Sequence, residues 1–452
     1  MKKSFACCLL SLVVTCSLTT FVSAQDAAKP VFKVGFAKRD VTPKDPMPMW
    51  GYGARHAMLS QGMLDPLQAK IVVIEAGKER LAIVGWDIGR GPTEKMMEKI
   101  RKEIKEKAGV GHVMISGSHS HHGPVLELSD RPGFGKGKFD AAVKYIDGLA
   151  DVLIGGIVEA AGKLQPAKIG VGTKNVTYNR NRHTKRPGPK VTDPMLAVIR
   201  FDSLDGKPLA LIVNFAAHPV MTDTKILKFS ADYPGFLMNE VEKTMNAPCV
   251  FMQGASGDMS PNSPPGVSGP QQFGTHVGKE CAAIAQEIKT EVPEKPSIQG
   301  RVDKFEFPTR INMGDPLVMA AFSYAFFPEL VQNFVEEFRD GLRPELNTIV
   351  LNKDLALVGG SGEFFCNHAN RLKERAYIKN TLFFGYCNGH HMYFPTIEAV
   401  SEGGYGADSQ VSQVEIGGGE KMMNRALINI YTMLGLMQEG KEKLPLLGGK
   451  KK

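Results

Sequence analysis

The segment SHSHHGP, Ser118–Pro124, sets three histidines within four positions directly after the apolar run VMIS. Imidazole is the commonest metal ligand and the natural proton carrier near neutral pH, so this density asks for partners. Polar residues follow the other apolar runs in the same way. IVGWDIG delivers Asp87, LIVNFAAHP delivers His218, and VFMQGASGDMSPN delivers Asp258 and Ser260. LALVGGSGEFF delivers Glu363, and LFFGYCNGHHMYF delivers His390, His391 and Tyr393. In an extended segment residues two apart share a face, so His119 and His121 can serve one site while His122 turns away. Two or three imidazoles, one carboxylate and an open position make a catalytic zinc sphere, and Glu363 is the natural carboxylate. His56, His112, His183, His276 and His368 read instead as surface or hydrogen-bonded residues.

The elements that must carry these groups alternate between strand and helix. KIVVIEAG and RLAIVGWDIG form a hairpin, and a second hairpin turns at Asp205-Gly206. Between them, Thr93 can cap a helix in which Met96, Ile100 and Ile104 recur every four residues and which Gly109 ends. Further helices are expected over about 140–162, 233–245, 274–292, 367–376 and 421–439, and a third hairpin in NTIVLNKDLALVGG. The expected fold is α/β, with mixed sheets, flanking helices and the site at the carboxyl ends of strands. The aromatic stretch AAFSYAFFPELVQNFVEEF, Ala320–Phe338, reads first as core and second as the wall of an apolar groove.

The chain of 452 residues opens with Lys2-Lys3, an apolar run and a small-x-small close at Val22-Ser23-Ala24. That pattern predicts a secretory leader over 1–24, an exported chain (periplasmic or secreted), one catalytic domain over 25–440 and a basic tail over 441–452. Loss of Lys2 and Lys3 takes the formal charge from +8 to +6 (8 − 2), of mixed sign and without basic blocks, which excludes a nucleic-acid role. Cys249, Cys281, Cys366 and Cys387 are too far apart for a CxxC site or a disulfide framework, leaving one or two opportunistic bridges at most.

Together these residues resemble the catalytic domain of neutral, non-lysosomal ceramidases. The family's xHxHxGP loop is matched by Ser118–Pro124, its AxHP by Ala216–Pro219, and its GDxSPN by Gly257–Asn262. Its GEF segment with a following basic helix is matched by Gly362–Phe364 and Arg371, and its CNxxxxY by Cys387-Asn388 and Tyr393. Asp40-Val41-Thr42, Met49–Gly53 and Asp87–Gly89 agree as well. The resemblance implies one zinc ion per chain held by His119, His218, Glu363 and Tyr393. It also implies catalytic roles for Ser260, for Arg180 in VTYNRNR, and for Tyr405. The implied reaction is zinc-dependent cleavage of the amide of an N-acylated lipid such as ceramide, releasing a fatty acid and a sphingoid base. His121, facing the same cleft, suits acid/base transfer. A lipid substrate is compatible with peripheral contact at a membrane surface. Family members carry an immunoglobulin-like domain after the catalytic one, whereas about forty residues follow Tyr405 here. Two readings therefore compete with ceramide hydrolysis: a zinc amidase or esterase of the same fold with another substrate, and an exported protein keeping its metal for structure.

Overall fold

The computed structural model describes residues 31–184, 189–409 and 411–438; the expected leader and tail lie outside the described residues. The strands in chain order begin β1 (Phe32–Asp40), β2 (Gln68–Ala76), β3 (Glu79–Trp86), β4 (His112–Gly117) and β5 (Gln165–Asn175). Next come β6 (Asn179–Asn181), β7 (Met195–Ser203), β8 (Pro208–Phe215), β9 (Cys249–Gln253), β10 (Met259–Pro261) and β11 (Ile298–Lys304). The last are β12 (Glu345–Leu351), β13 (Leu355–Gly360), β14 (Glu363–Phe364), β15 (Asn380–Phe384) and β16 (Tyr393–Phe394). The helices are α1 (Glu94–Ala108), α2 (Asp140–Gly162), α3 (Asp232–Met245), α4 (Gly269–Glu287) and α5 (Pro316–Ala325). They continue with α6 (Pro328–Phe338), α7 (Cys366–Arg375), α8 (Ile397–Glu402) and α9 (Gly418–Leu434).

An eight-stranded mixed sheet runs β4-β3-β2-β1-β5-β7-β8-β9, and a four-stranded one runs β11-β12-β13-β15. Their inner faces pack together through Val72, Ile74, Ile83, Met114 and Ile212 on one side and Ile349, Leu357, Leu382 and Phe384 on the other. Helices cover both outer faces: α2 lies on β1 and β2, α3 on β9, α4 on β7, α7 on β15 and α9 on β12. This four-layer arrangement explains why β2 and β3 read as near-continuous apolar runs, since both their faces are buried. Each fully buried aliphatic or aromatic side chain contributes roughly 1.5–3 kcal/mol.

The large sheet curls until β9 returns to β3. Gly85 of β3 makes that approach feasible, because a Cβ there would overlap the carbonyl oxygen of Phe251 in β9. Curling brings the carboxyl ends of β4, β8 and β9 together. β4 is parallel to β3, β9 to β8, and β15 to β13, so these strand ends point one way within each pair.

Most expected elements are present within a residue or two, but α9 spans Gly418–Leu434 rather than the expected 421–439. Thr93 accepts from the Met96 N–H, and Gly109 closes α1 in the left-handed region at φ 62°. Helix α4 differs: it spans Gly269–Glu287 rather than 274–292. It stops early because Ile288 turns extended, seats its side chain over Gly170 and Gly172 of β5, and leads into a bridge between Glu291 and Ile169. The four cysteines are free and buried, so the expected opportunistic bridges do not form.

Candidate metal centre and substrate cavity

Five strand-end loops supply the cluster, and backbone carbonyls fix how its histidines can act. His119 follows β4 at φ 69°, a left-handed backbone rather than the extended one expected for the His119–His121 pair. Its Nδ1 donates to the Gly89 carbonyl at 2.7 Å. His218 follows β8, and its Nδ1 donates to the Ser256 carbonyl at 2.6 Å. A carbonyl can only accept, so each Nδ1 carries the proton and each Nε2 presents a lone pair. These two Nε2 atoms lie 3.0 Å apart and have no proton to share between them.

Glu363 Oε2 is buried without a hydrogen-bond partner, 3.4 Å from His119 Nε2 and 3.2 Å from His218 Nε2. His121 Nε2 is 3.3 Å from His119 Nε2. Ligands on a tetrahedron with 2.0–2.1 Å bonds are about 3.3 Å apart, so this spacing and donor chemistry fit zinc. Facing lone pairs and an orphaned carboxylate oxygen would repel one another unless a cation lay between them. His390, from the loop after β15, takes the other carboxylate oxygen, with its Nε2 3.1 Å from Glu363 Oε1.

The protonation states agree with that reading. Burial would raise the Glu363 carboxyl, but the imidazoles of His119, His218 and His390 set against it hold it well below the usual range. Burial and then the Arg182 guanidinium push His218 down to about 3. Burial, then His119 and His218, drive His121 well below its ordinary value. The carboxylate is therefore charged and the His121 and His218 imidazoles neutral at pH 7, the forms that ligate.

Tyr393 arrives by register, since β16 pairs in parallel with β14 and sets Tyr393 beside Glu363. Its hydroxyl accepts from Arg182 Nη2 at 3.0 Å. The same nitrogen donates to the Gly257 carbonyl at 2.9 Å and stands 2.9 Å from His218 Nε2. Arg182, rather than Arg180, is thus the arginine at the cluster. In β6 the side chains of Asn179 and Asn181 point inward and are buried, which turns Arg180 out to solvent. Arg182 lies just past the strand, where alternation has ended. Ser260 lies on β10, buried and paired with Arg180 across the ladder, and is not part of the cavity wall among the described residues. Tyr405 stands at the cavity, its ring 5.6 Å from that of Tyr393 and 5.9 Å from the Arg182 guanidinium.

Trp50 was visible only as part of the MWGYG segment. Its ring sits edge-on to His119, His121 and His390 at 4.9, 5.4 and 5.5 Å. The indole N–H donates to Glu127, which also pairs with buried Arg90 at 2.8 Å. Other strand-end acids are structural: Asp87 accepts from the Gln68 N–H, and Asp258 from the Cys366 N–H and Asn181. His122 turns away as expected and meets Arg55 Nη2 at 2.6 Å.

Above the cluster opens a cavity of about 350 Å³. His119, His121, Glu363, His390 and Tyr393 form its polar floor, and Phe322, Ala325, Phe326, Phe327, Leu330 and Phe334 its wall. The aromatic stretch is therefore a groove wall as well as core, broken into α5 and α6 at Pro328.

A sequence model of the neutral/alkaline non-lysosomal ceramidase N-terminal region matches residues 32–317. The chain belongs to the neutral/alkaline non-lysosomal ceramidase family. Neutral ceramidase B of Dictyostelium discoideum is 27% identical over 172 residues, covering 34% of this chain and 24% of that protein. Neutral ceramidase 3 of Arabidopsis thaliana is 28% identical over 229 residues, covering 46% and 30%. The match thus spans about a quarter to a third of these relatives' length. The neutral ceramidase structure from Pseudomonas aeruginosa superposes with a TM-score of 0.72 at 21% identity, over 91% of this chain and 76% of that one. A structure of a ceramidase complexed with C2 gives 0.70 at 20% identity and the same coverage. These two establish the likeness of fold, mixed sheets flanked by helices.

Proposed function

We propose that this chain is a zinc-dependent hydrolase of the amide bond in an N-acylated lipid, with ceramide the substrate that family membership favours. The observation that carries the reading is the convergence of His119 Nε2, His218 Nε2 and Glu363 Oε2 within 3.0–3.4 Å, with His119 and Glu363 in the floor of an apolar cavity and His218 buried behind them. These three would hold the ion, with Tyr393 as a fourth donor. When bound, zinc supplies a Lewis acid and brings the pKa of water to about 7.

The chain's own groups divide the remaining work. The wall of α5 and α6 takes the acyl chain and excludes water from the scissile bond. The Arg182 guanidinium, held beside Tyr393 and His218, stabilises charge developing on the carbonyl oxygen through its positive charge. His121, neutral at its Nε2, accepts the proton of the attacking water and returns it to the amide nitrogen as the C–N bond breaks. The products are a carboxylate and an amine, which matches the bonds made and broken. Tyr405 closes the polar side of the entrance. Ser260 pairs with Arg180 in the β6–β10 ladder that precedes Arg182, which favours a positioning role over nucleophilic attack. The N-terminal leader pattern supports export, and N-terminal sequencing of the released chain should begin at Gln25.

Elemental analysis joined to a substrate screen tests the reading. Purified protein should hold one zinc per chain and release fatty acid from ceramide; His218→Ala should lose both. Full turnover after exhaustive chelation would overturn it.

A further inference from the structure

Helix α5 has an unusual composition for a surface element. Its sequence, PLVMAAFSYA, has no charged residue, and Phe322 is the one residue it buries. Leu317 and Tyr324 are 81% and 86% exposed. A surface helix of a globular protein ordinarily turns charged residues outward, and a helix without them belongs against another apolar phase.

The second segment follows directly from residues that line the cavity. Gly53 packs against the Ala325 carbonyl at the end of α5, and His56 two residues past Ala54 lines the cavity. From there the chain runs through AMLSQGML, Ala57–Leu64, again without a charge. Met63 and Leu64 are 55% and 51% exposed, and Met58 and Leu59 project beside them. Single exposed apolar residues are ordinary, but two uncharged segments that both adjoin the lining of one cavity are not. Lysine frames this edge: Met63 is bridged to Phe229, whose neighbour Lys228 is exposed, as is Lys225. Asp223 is the acidic residue of that loop.

We propose that α5 and the Ala57–Leu64 segment form a docking face for a lipid bilayer bearing anionic headgroups. Leu317, Tyr324, Met63 and Leu64 enter the interfacial region, and Lys225 and Lys228 meet the headgroup phosphates. Apolar side chains beside lysine are the composition that interfacial binding requires. Continuity with the cavity argues for a membrane rather than a second copy of this chain. α5 is both docking face and cavity wall, so an acyl chain leaving the bilayer reaches the floor without crossing water. The inference rests on the proposed lipid-amide hydrolysis for its purpose, but its test does not involve turnover.

Co-sedimentation with vesicles of phosphatidylcholine, with and without phosphatidylglycerol, measures the bound fraction. Neither lipid contains an N-acyl amide, so binding is scored apart from catalysis. The protein should sediment with the mixed vesicles and be partly released by salt. L317D/Y324D and M63D/L64D should each weaken partitioning about tenfold, with melting temperature and hydrolysis of a short soluble N-acyl substrate unchanged. None of the four residues lines the cavity. Equal sedimentation of wild type and both variants would overturn the proposal. So would a wild-type dimer that the same aspartates dissociate, with no vesicle binding. Absence of turnover with intact vesicle binding would count against the hydrolase reading alone.

Discussion

His122 offers a direct reading of how the histidine loop is anchored. Burial, and then the Arg55 guanidinium that donates to its Nε2 at 2.6 Å, push its pKa from 6.5 down to about 4. The unfolded chain binds that proton more readily than the folded one. The residue's contribution is therefore intact above pH 6.5 and lost as pH falls toward 4. With those two values the loss is about 2 kcal/mol at pH 5 and about 3 kcal/mol once both forms are protonated. Other buried histidines titrate in the same direction, so the wild-type slope alone does not isolate His122. His122→Gln keeps an acceptor for Arg55 and removes the titration. Urea unfolding of both proteins at pH 7.5 and pH 5 supplies the four free energies. The wild type should lose about 2 kcal/mol more than the variant over that interval. Equal losses would refute the reasoning, because they would mean that His122 is charged in the folded protein or solvated enough to titrate normally.

Three further outcomes follow from other contacts. Gly85→Ala should destabilise by about 3 kcal/mol in denaturant titration, because the methyl forces β3 away from the Phe251 carbonyl. Arg182→Met should lower kcat/KM on the N-acyl substrate about 100-fold, whereas Arg180→Met, on the solvent face of β6, should leave it unchanged. Glu127→Gln should cost about 3 kcal/mol by taking from the buried Arg90 guanidinium the carboxylate it pairs with, read by urea unfolding at pH 7.

The sequence by itself determined which residue types were available at the strand ends and that the strands and helices form an α/β architecture. Apolar runs of strand length, caps such as Thr93 and closers such as Gly109 are local signals, and local geometry follows them. The same locality placed His119, His121, His218 and Glu363 in loops after strands. It could not choose between Arg180 and Arg182, because that choice depends on where β6 ends and on its ladder with β10. Nor could it assign His390 to Glu363, or set Trp50 against three histidines, since those contacts join segments far apart in the chain. The aromatic stretch shows the same limit: helical spacing marks an apolar face, but only its neighbours decide whether that face meets core or cavity. What the tertiary structure decided was convergence. Curling of the large sheet around Gly85, and the stacking of the second sheet against it, carry distant strand ends to one point. There, three donors that repel one another are held within reach of a single ion.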